Sequence, residues 1–320
     1  MEPGGIAPQT TLGFAKRSKE MSRQETKGVL FALANAALYG IFPVVVNRGS
    51  RHLLPMTFAA VSTLLAAFGA FVYTALKGDL KELRKKEAYS SLLMVTLCIV
   101  VIPYVLLFIG SSRTSGINTS FLLLSEIVFT LMFTPLIGEK TTFEKVIGAG
   151  GVLVGAGLIL YNGKFRLNPG DIMVVASTMT FPIGNFYAKR VLSRVSPSNI
   201  LLVRFSLGGL FMLVLAMLME TPSRTMIFGE WPLLLFTGLV LLGIGKIVWY
   251  EALSRLDISK AISLDMTFPL FSLAVLIGVF RERVSSYQWI GIGVMMMGVF
   301  FAVRRRSVDP RLTRYSNFPS

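Results

Sequence analysis

The chain has 320 residues, 53% of them hydrophobic and only 15% charged, with a mean hydropathy of +0.65 and a net charge of +15. A soluble domain carries about 25% charged residues and cannot cover itself with so few polar side chains. Composition therefore excludes a soluble enzyme, a disordered chain and a nucleic-acid-binding domain, and it predicts a polytopic membrane protein.

In chain order, residues 1–27 come first. They are polar and basic (Lys16, Arg17, Lys19, Arg23, Lys27) and lack an apolar core with a small-residue cleavage site, so they read as a cytoplasmic tail. Apolar stretches follow near 28–47, 54–76, 90–110, 115–137, 144–162, 170–189, 198–219, 231–254, 260–280 and 284–303. Each is close to the roughly 20 residues that a helix needs to cross a bilayer. Their Leu, Val and Phe runs lack the polar alternation of a transmembrane barrel. The expected class is an all-α membrane protein with ten transmembrane helices, followed by a cytoplasmic tail over 304–320.

Connections are short, the longest being the basic segment Lys77–Ala88. Of the 32 Lys and Arg, 22 fall in the tails and even-numbered loops and 8 in the odd-numbered loops. That excess places both termini in the cytoplasm of a cell-membrane protein, and an even number of spans requires the termini to share a side. Cys98 is the only cysteine and His52 the only histidine, so no intrachain disulfide forms and a His/Cys metal site is disfavoured. No cofactor is expected and no ATP-binding motif is present.

The candidate functional residues also follow the chain. Helix 1 places Asn35, Tyr39 and Pro43 at a spacing of four. Helix 4 carries Glu126 about eleven residues into its span, with Thr119 and Thr130 expected on its face. Helix 6 puts Thr178, Pro182 and Asn185 on one face. Helix 8 carries Lys246 with Trp249 and Tyr250 close by, and helix 9 carries Asp265 with Pro269 and Ser272 on one stripe. Ionisable groups within a membrane cost about 2.5–3.5 kcal/mol each on insertion scales, which makes each a candidate. Glu126 reads as a proton or cation site or an anchor for an amine. Lys246 reads as an anchor for a carboxylate or phosphate. A static Glu126–Lys246 ion pair is the bland alternative. Arg204, near a helix end, reads as structural, because a long side chain can snorkel to the interface. Interrupting prolines (Pro43, Pro103, Pro182, Pro269) free carbonyls that only protein or a wet cavity can satisfy. Tyr39 and Asn185 are expected to line such a cavity.

The two halves, 28–162 and 170–303, resemble each other at an offset of 142–143 residues. Gly28 matches Gly170, Arg48 matches Arg190, Pro55 matches Pro197 and Arg113 matches Arg255. Glu139 matches Glu282, Gly148 matches Gly291, and Gly155 matches Gly298. Five spans per half is an odd number, so the second half enters the membrane from the opposite side, an inverted repeat typical of secondary transporters.

The ends of the halves read SFLLLSEIVFTLMFTPLIGEKTTFEKVIGAGGVLVGAGLIL and AISLDMTFPLFSLAVLIGVFRERVSSYQWIGIGVMMMGVFF. Each resembles the signature of the EamA-like branch of the drug/metabolite transporter superfamily, with an apolar stretch, a Gly-x-x-Glu or similar turn and a Gly-rich helix. The family's helix proline is Pro269 here, with Glu126 at its first-half counterpart. The arginine often found in the second helix of each half is Arg204 in one half and Ser62 in the other. The resemblance implies ten helices in two inverted halves around a central cavity, and export or exchange of small metabolites such as amino acids.

The expected function is alternating-access transport of a small-molecule metabolite, with protons as the coupling ion and the lipid bilayer as the surroundings. Nucleic acid is not expected as a partner, and association into a homo-oligomer is left open. A small-molecule sensor or channel is the alternative. A membrane enzyme acting on a lipid-linked substrate ranks last, since Glu251 and Asp257 are the nearest approach to an acid cluster.

Overall fold

A computed structural model describes residues 10–133, 135, 142–161, 168–253, 255–256, 261 and 264–303, and among these it contains helices and turns but no strand. The first half comprises α1 (Thr10–His52), α2 (Pro55–Lys77), α3 (Lys86–Ser112), α4 (Gly116–Phe133) and α5 (Phe143–Tyr161). The second comprises α6 (Pro169–Ser177), α7 (Phe181–Val191), α8 (Pro197–Met219), α9 (Trp231–Ala252), α10 (Phe268–Gly278) and α11 (Ser286–Val303). Among the described residues, seven helices are long and apolar enough to cross a membrane: α1 from Gln24 onward, α2, α3, α4, α5, α8 and α9. The apolar α10 and the stretch Ser286–Ala302 of α11 are shorter.

Local chemistry explains most boundaries. Pro55, Pro169 and Pro197 open their helices, where the missing N–H has no intrahelical partner to lose. Ser115 caps α4 by accepting from the Asn118 N–H at 3.0 Å, and Asn168 caps α6 by accepting from Gly170 at 2.9 Å. α1 is longer than its span: it begins at Thr10, within the basic tail expected over 1–27, and its apolar span begins at Gln24. Over 10–27, its Lys, Glu, Gln, Arg and Met residues are strong helix formers and no proline interrupts them. Glu139, Asp257, Lys260 and the tail 304–320 lie outside the described residues.

Several helices are interrupted, and two of the interruptions recur at the repeat offset, whereas α1, expected to break at Pro43, is continuous through it. α3 widens to a π-helical turn at Thr96–Val101, and α9 does so at Phe236–Ile244. α4 tightens to a 3-10 turn at Leu123–Ser125, and a turn at Met266 and Thr267 precedes α10. The expected sixth span is broken at Thr178–Thr180, where Pro182 starts a new helix. The freed groups find partners locally: the Thr180 hydroxyl donates to the Cys98 carbonyl, inside the π turn of α3, at 2.8 Å.

Repeat counterparts pack against each other in antiparallel fashion. Glu220, just past α8, accepts from the Met56 and Thr57 N–H groups at the start of α2, at 2.8 and 2.7 Å. Reciprocally, Glu82, past α2, accepts from the Ser196 N–H and the Asn199 amide at the start of α8, at 2.7 and 3.1 Å. α5 and α11 meet along their glycines. A methyl on Gly298 would fall 2.7 Å from the Gly148 carbonyl oxygen, and one on Gly291 would fall 2.8 Å from that of Gly155. Matched positions also meet elsewhere: Gly28 abuts Arg255, and Gly170 abuts Arg113. The main core is apolar, built around fully buried Phe58, Phe108, Phe121 and Phe205.

A polar latch ties one end of the bundle. The Asn47 amide donates to the Ser111 and Thr114 carbonyls at 2.6 and 2.9 Å. Arg48 pairs with Glu282 at 3.4 Å and lies over the Phe280 ring. Asp171, buried at the start of α6, accepts from the Thr114 hydroxyl and from the Asn118 amide.

Candidate functional site

The helix interruptions carry the ionisable groups. Glu126 opens the helical segment that follows the 3-10 turn of α4. Asp265 sits just before the turn that leads into α10. Each carboxylate meets an asparagine from the other half. The buried Asn35 of α1 donates to Asp265 Oδ1 at 2.6 Å, and Asn185 of α7 donates to Glu126 Oε1 at 3.5 Å. The approach of α1 to α10 depends on Gly40, whose missing side chain leaves room for the Phe268 carbonyl and Phe271. The Ser272 hydroxyl donates to the Gly40 carbonyl at 2.6 Å and fixes that contact.

Lys246 of α9 points at an aromatic face: its Nζ lies 4.8 Å from the centroid of the Tyr39 ring. A cation over a ring is held by the ring quadrupole. Tyr39 packs edge-on against Phe268 at 4.7 Å and stacks with Phe42 at 6.3 Å. Glu126, Lys246 and Asp265 lie within electrostatic reach of one another. All three, with Tyr39, are half-buried. No ion pair joins Lys246 to either carboxylate among the described residues. The four side chains thus keep opposite charges near but unpaired, each held by an amide or a ring. Such an arrangement can receive the ammonium and the acidic group of a polar solute.

The structure brings Asn35, Tyr39, Glu126, Asn185, Lys246 and Asp265 together. Tyr250 is half-buried and packs against the main core, with no hydrogen bond among the described residues. Asn185 is exposed except for its contact with Glu126. Thr119 does not join Glu126. Its hydroxyl donates to the Ser115 carbonyl at 2.9 Å and lies 3.0 Å from Ser111 Oγ, within the polar latch. The 3-10 turn between Thr119 and Glu126 changes the helical register on which the shared face depended. Glu251 pairs with Arg255 one turn on.

Arg204, read from the sequence as structural, lies within the bundle rather than at its surface. It is 7% exposed, lies 4.8 Å over the Phe205 ring and is within electrostatic reach of Lys246 and Tyr104. Its Nε is buried without a partner. Among the described residues, no group of three or more His, Cys, Asp or Glu is arranged to hold a metal ion.

Long apolar helices with charged side chains gathered among them define a multi-pass membrane protein. The pattern of the EamA-like transporter family matches residues 26–161 and 168–304, and the chain belongs to that family. It is 25% identical over 298 residues to a protein of Escherichia coli (strain K12) named "Probable amino-acid metabolite efflux pump", covering 88% of this chain and 96% of that one. A Salmonella typhimurium protein of the same name is 24% identical, covering 89% of this chain and 98% of its own length. An uncharacterized transporter of Methanothermobacter thermautotrophicus is 27% identical, covering 85% of each chain. A solved crystal structure superposes with a TM-score of 0.65 at 15% identity, covering 92% of this chain and 99% of its own, a likeness of fold. Family and relatives point to a transporter rather than an enzyme.

Proposed function

We propose that this protein is a secondary active transporter that moves small polar metabolites across the cytoplasmic membrane by alternating access. Amino acids and related compounds are the favoured substrates, and export or exchange the favoured direction. The reading takes ten spans in two inverted repeats, 28–162 and 170–303, with both termini cytoplasmic and protons as coupling ion.

The observation that carries it is the pair of amide-held carboxylates around Lys246. Glu126 of α4 meets Asn185 of α7, and Asp265 of α10 meets Asn35 of α1. The two pairs lie on counterpart helices, α4 with α7 in one and α10 with α1 in the other, although the four residues do not occupy matched positions: the counterpart of Glu126 is Pro269. The antiparallel pairing of α2 with α8 and of α5 with α11 supports the same relation between the halves, as do the matched contacts Gly28–Arg255 and Gly170–Arg113. Two halves of one pattern in opposite orientations have two arrangements of similar energy, one open to each side. The printed names of the Escherichia coli and Salmonella typhimurium relatives support an amino-acid-like substrate.

The test is uptake of a pooled, labelled mixture of amino acids and polar metabolites into proteoliposomes with an imposed pH gradient. Saturable, gradient-dependent uptake is expected, and Glu126→Gln abolishes it while the protein still elutes as a folded species. Uptake that ignores the gradient overturns proton coupling. Non-saturable flux that never accumulates solute against its gradient establishes a channel instead.

A further inference from the structure

We propose that Arg204 anchors the carboxylate of the transported solute, so that the substrate class is a zwitterion whose acidic end docks on α8. The inference rests on the transporter reading of the same site. A guanidinium stays charged under all conditions relevant here. Arg204 is 7% exposed, so its side chain does not snorkel to the interface as its position near the start of α8 suggests. A buried charge is costly unless paired and hydrogen-bonded. Arg204 nevertheless has no ion pair and no hydrogen bond among the described residues, and its Nε is sealed from solvent without an acceptor.

A purely structural arginine would be matched to one of the two carboxylates within the bundle. Here Asp265 is held by Asn35 and Glu126 by Asn185. The charged group placed within reach of Arg204 is Lys246, a second cation. Each of these two cations is set over an aromatic ring, and neither has an ion pair among the described residues. The planar fork of an arginine matches a carboxylate in two parallel hydrogen bonds, and a lysine adds a point charge. The amide-held carboxylates Glu126 and Asp265 provide the complementary place for the ammonium. The four charges sum to zero, so a zwitterion enters without leaving the site charged, whereas a simple amine or a simple acid unbalances it.

The experiment uses the full chain in detergent and reads ligand-induced shifts in melting temperature. The probes are the twenty amino acids, each beside its methyl ester and its decarboxylated amine. The expected result is stabilisation of the wild-type protein by one or more amino acids, with the matched ester and amine at least about tenfold weaker. Arg204→Gln abolishes this preference while leaving the unliganded protein folded. Arg204→Lys retains part of it, since the charge remains and the fork is lost. A wild-type protein that binds amine and amino acid equally overturns the proposal without any variant. A preference that survives in folded Arg204→Gln overturns it as well, as does no amino-acid response at all. Failure of the transporter reading is seen separately: amino acids then shift the melting curve in an Arg204-dependent way, but proteoliposomes show no saturable uptake.

Discussion

Asn35 shows how a single amide organises the site. It is fully enclosed, and it donates at 2.6 Å to a carboxylate 230 positions away. A hydrogen bond to a charged group contributes about 1.5–3 kcal/mol, so Asn35→Leu is expected to lower the melting temperature measurably. The double variant with Asp265→Asn should recover part of the loss, because the carboxylate it exposes is then neutral. Equal melting of Asn35→Leu and wild type would remove this amide from the account. Glu82, outside the bundle, offers a pH-dependent counterpart. The Ser196 N–H holds its carboxyl below the ordinary glutamate value, against the effect of burial and with help from the Ser196 hydroxyl, the Asn199 amide and Lys85. A depressed folded value means stability that is present above the unfolded value near 4.3 and lost as pH falls through the folded one. Glu82→Gln should therefore melt below wild type at pH 7 and converge with it in acid. The ionisable members of the site were legible in the sequence because charge is costly at membrane depth. Asn35 and Asn185 were also candidates, but which carboxylate each meets was not legible, since each reaches it from the opposite half. Proximity to a helix end suggested that Arg204 snorkels, whereas its packing leaves a guanidinium that is 7% exposed with its Nε unpaired.

At the scale of elements, the glycines of α5 and α11 separate packing from propensity. A methyl on Gly298 meets the Gly148 carbonyl and the Val152 backbone, whereas one on Gly150 or Gly293 meets nothing within 4 Å. Gly298→Ala is expected to destabilise by about 1–3 kcal/mol through overpacking. Gly150→Ala should be neutral or stabilising by up to about 1 kcal/mol, as alanine is the better helix former. Thermal melts of the two variants in detergent check the contrast, and equal behaviour would count against close α5–α11 contact. The Gly-rich pattern of both helices was plain in the sequence. The interruptions were less so. Proline marked the breaks at α7 and α10, and Pro103 lies two residues past the π turn at Thr96–Val101, its missing N–H removing a helical hydrogen bond there. The π turn at the matching place in the second half, Phe236–Ile244, contains no proline and had no such signal. The displaced face of Thr119 is a related lesson: a spacing of seven places two residues together only if every turn between them is α-helical.

For the whole molecule, the polar latch and the repeat make a linked prediction. Arg48–Glu282 joins the first half to the second at one end of the bundle, and both side chains are partly exposed. On the proposed reading, in which access alternates and this end faces outward, removing it with Arg48→Ala favours the arrangement opened at that end. In a Cys98→Ser background carrying Ser111→Cys, labelling by a membrane-impermeant maleimide from outside should accelerate by about tenfold, the response to a loss of about 1.4 kcal/mol. Unchanged labelling would assign the ion pair to static support. The sequence exposed the repeat through its constant offset, and the fold adds which counterparts touch.

The reciprocal caps bear on biogenesis. The start of α2 is capped by a glutamate that lies 163 residues downstream of Thr57. At a synthesis rate of roughly 5–20 residues per second, α2 exists for on the order of ten to thirty seconds before Glu220 leaves the ribosome. During that interval its terminal N–H groups can be met only by water, lipid headgroups or the insertion machinery. The first half is thus born incomplete and waits for the second. Each half caps the other, so a chain terminated between them leaves the first N–H groups of α2 without the Glu220 carboxylate.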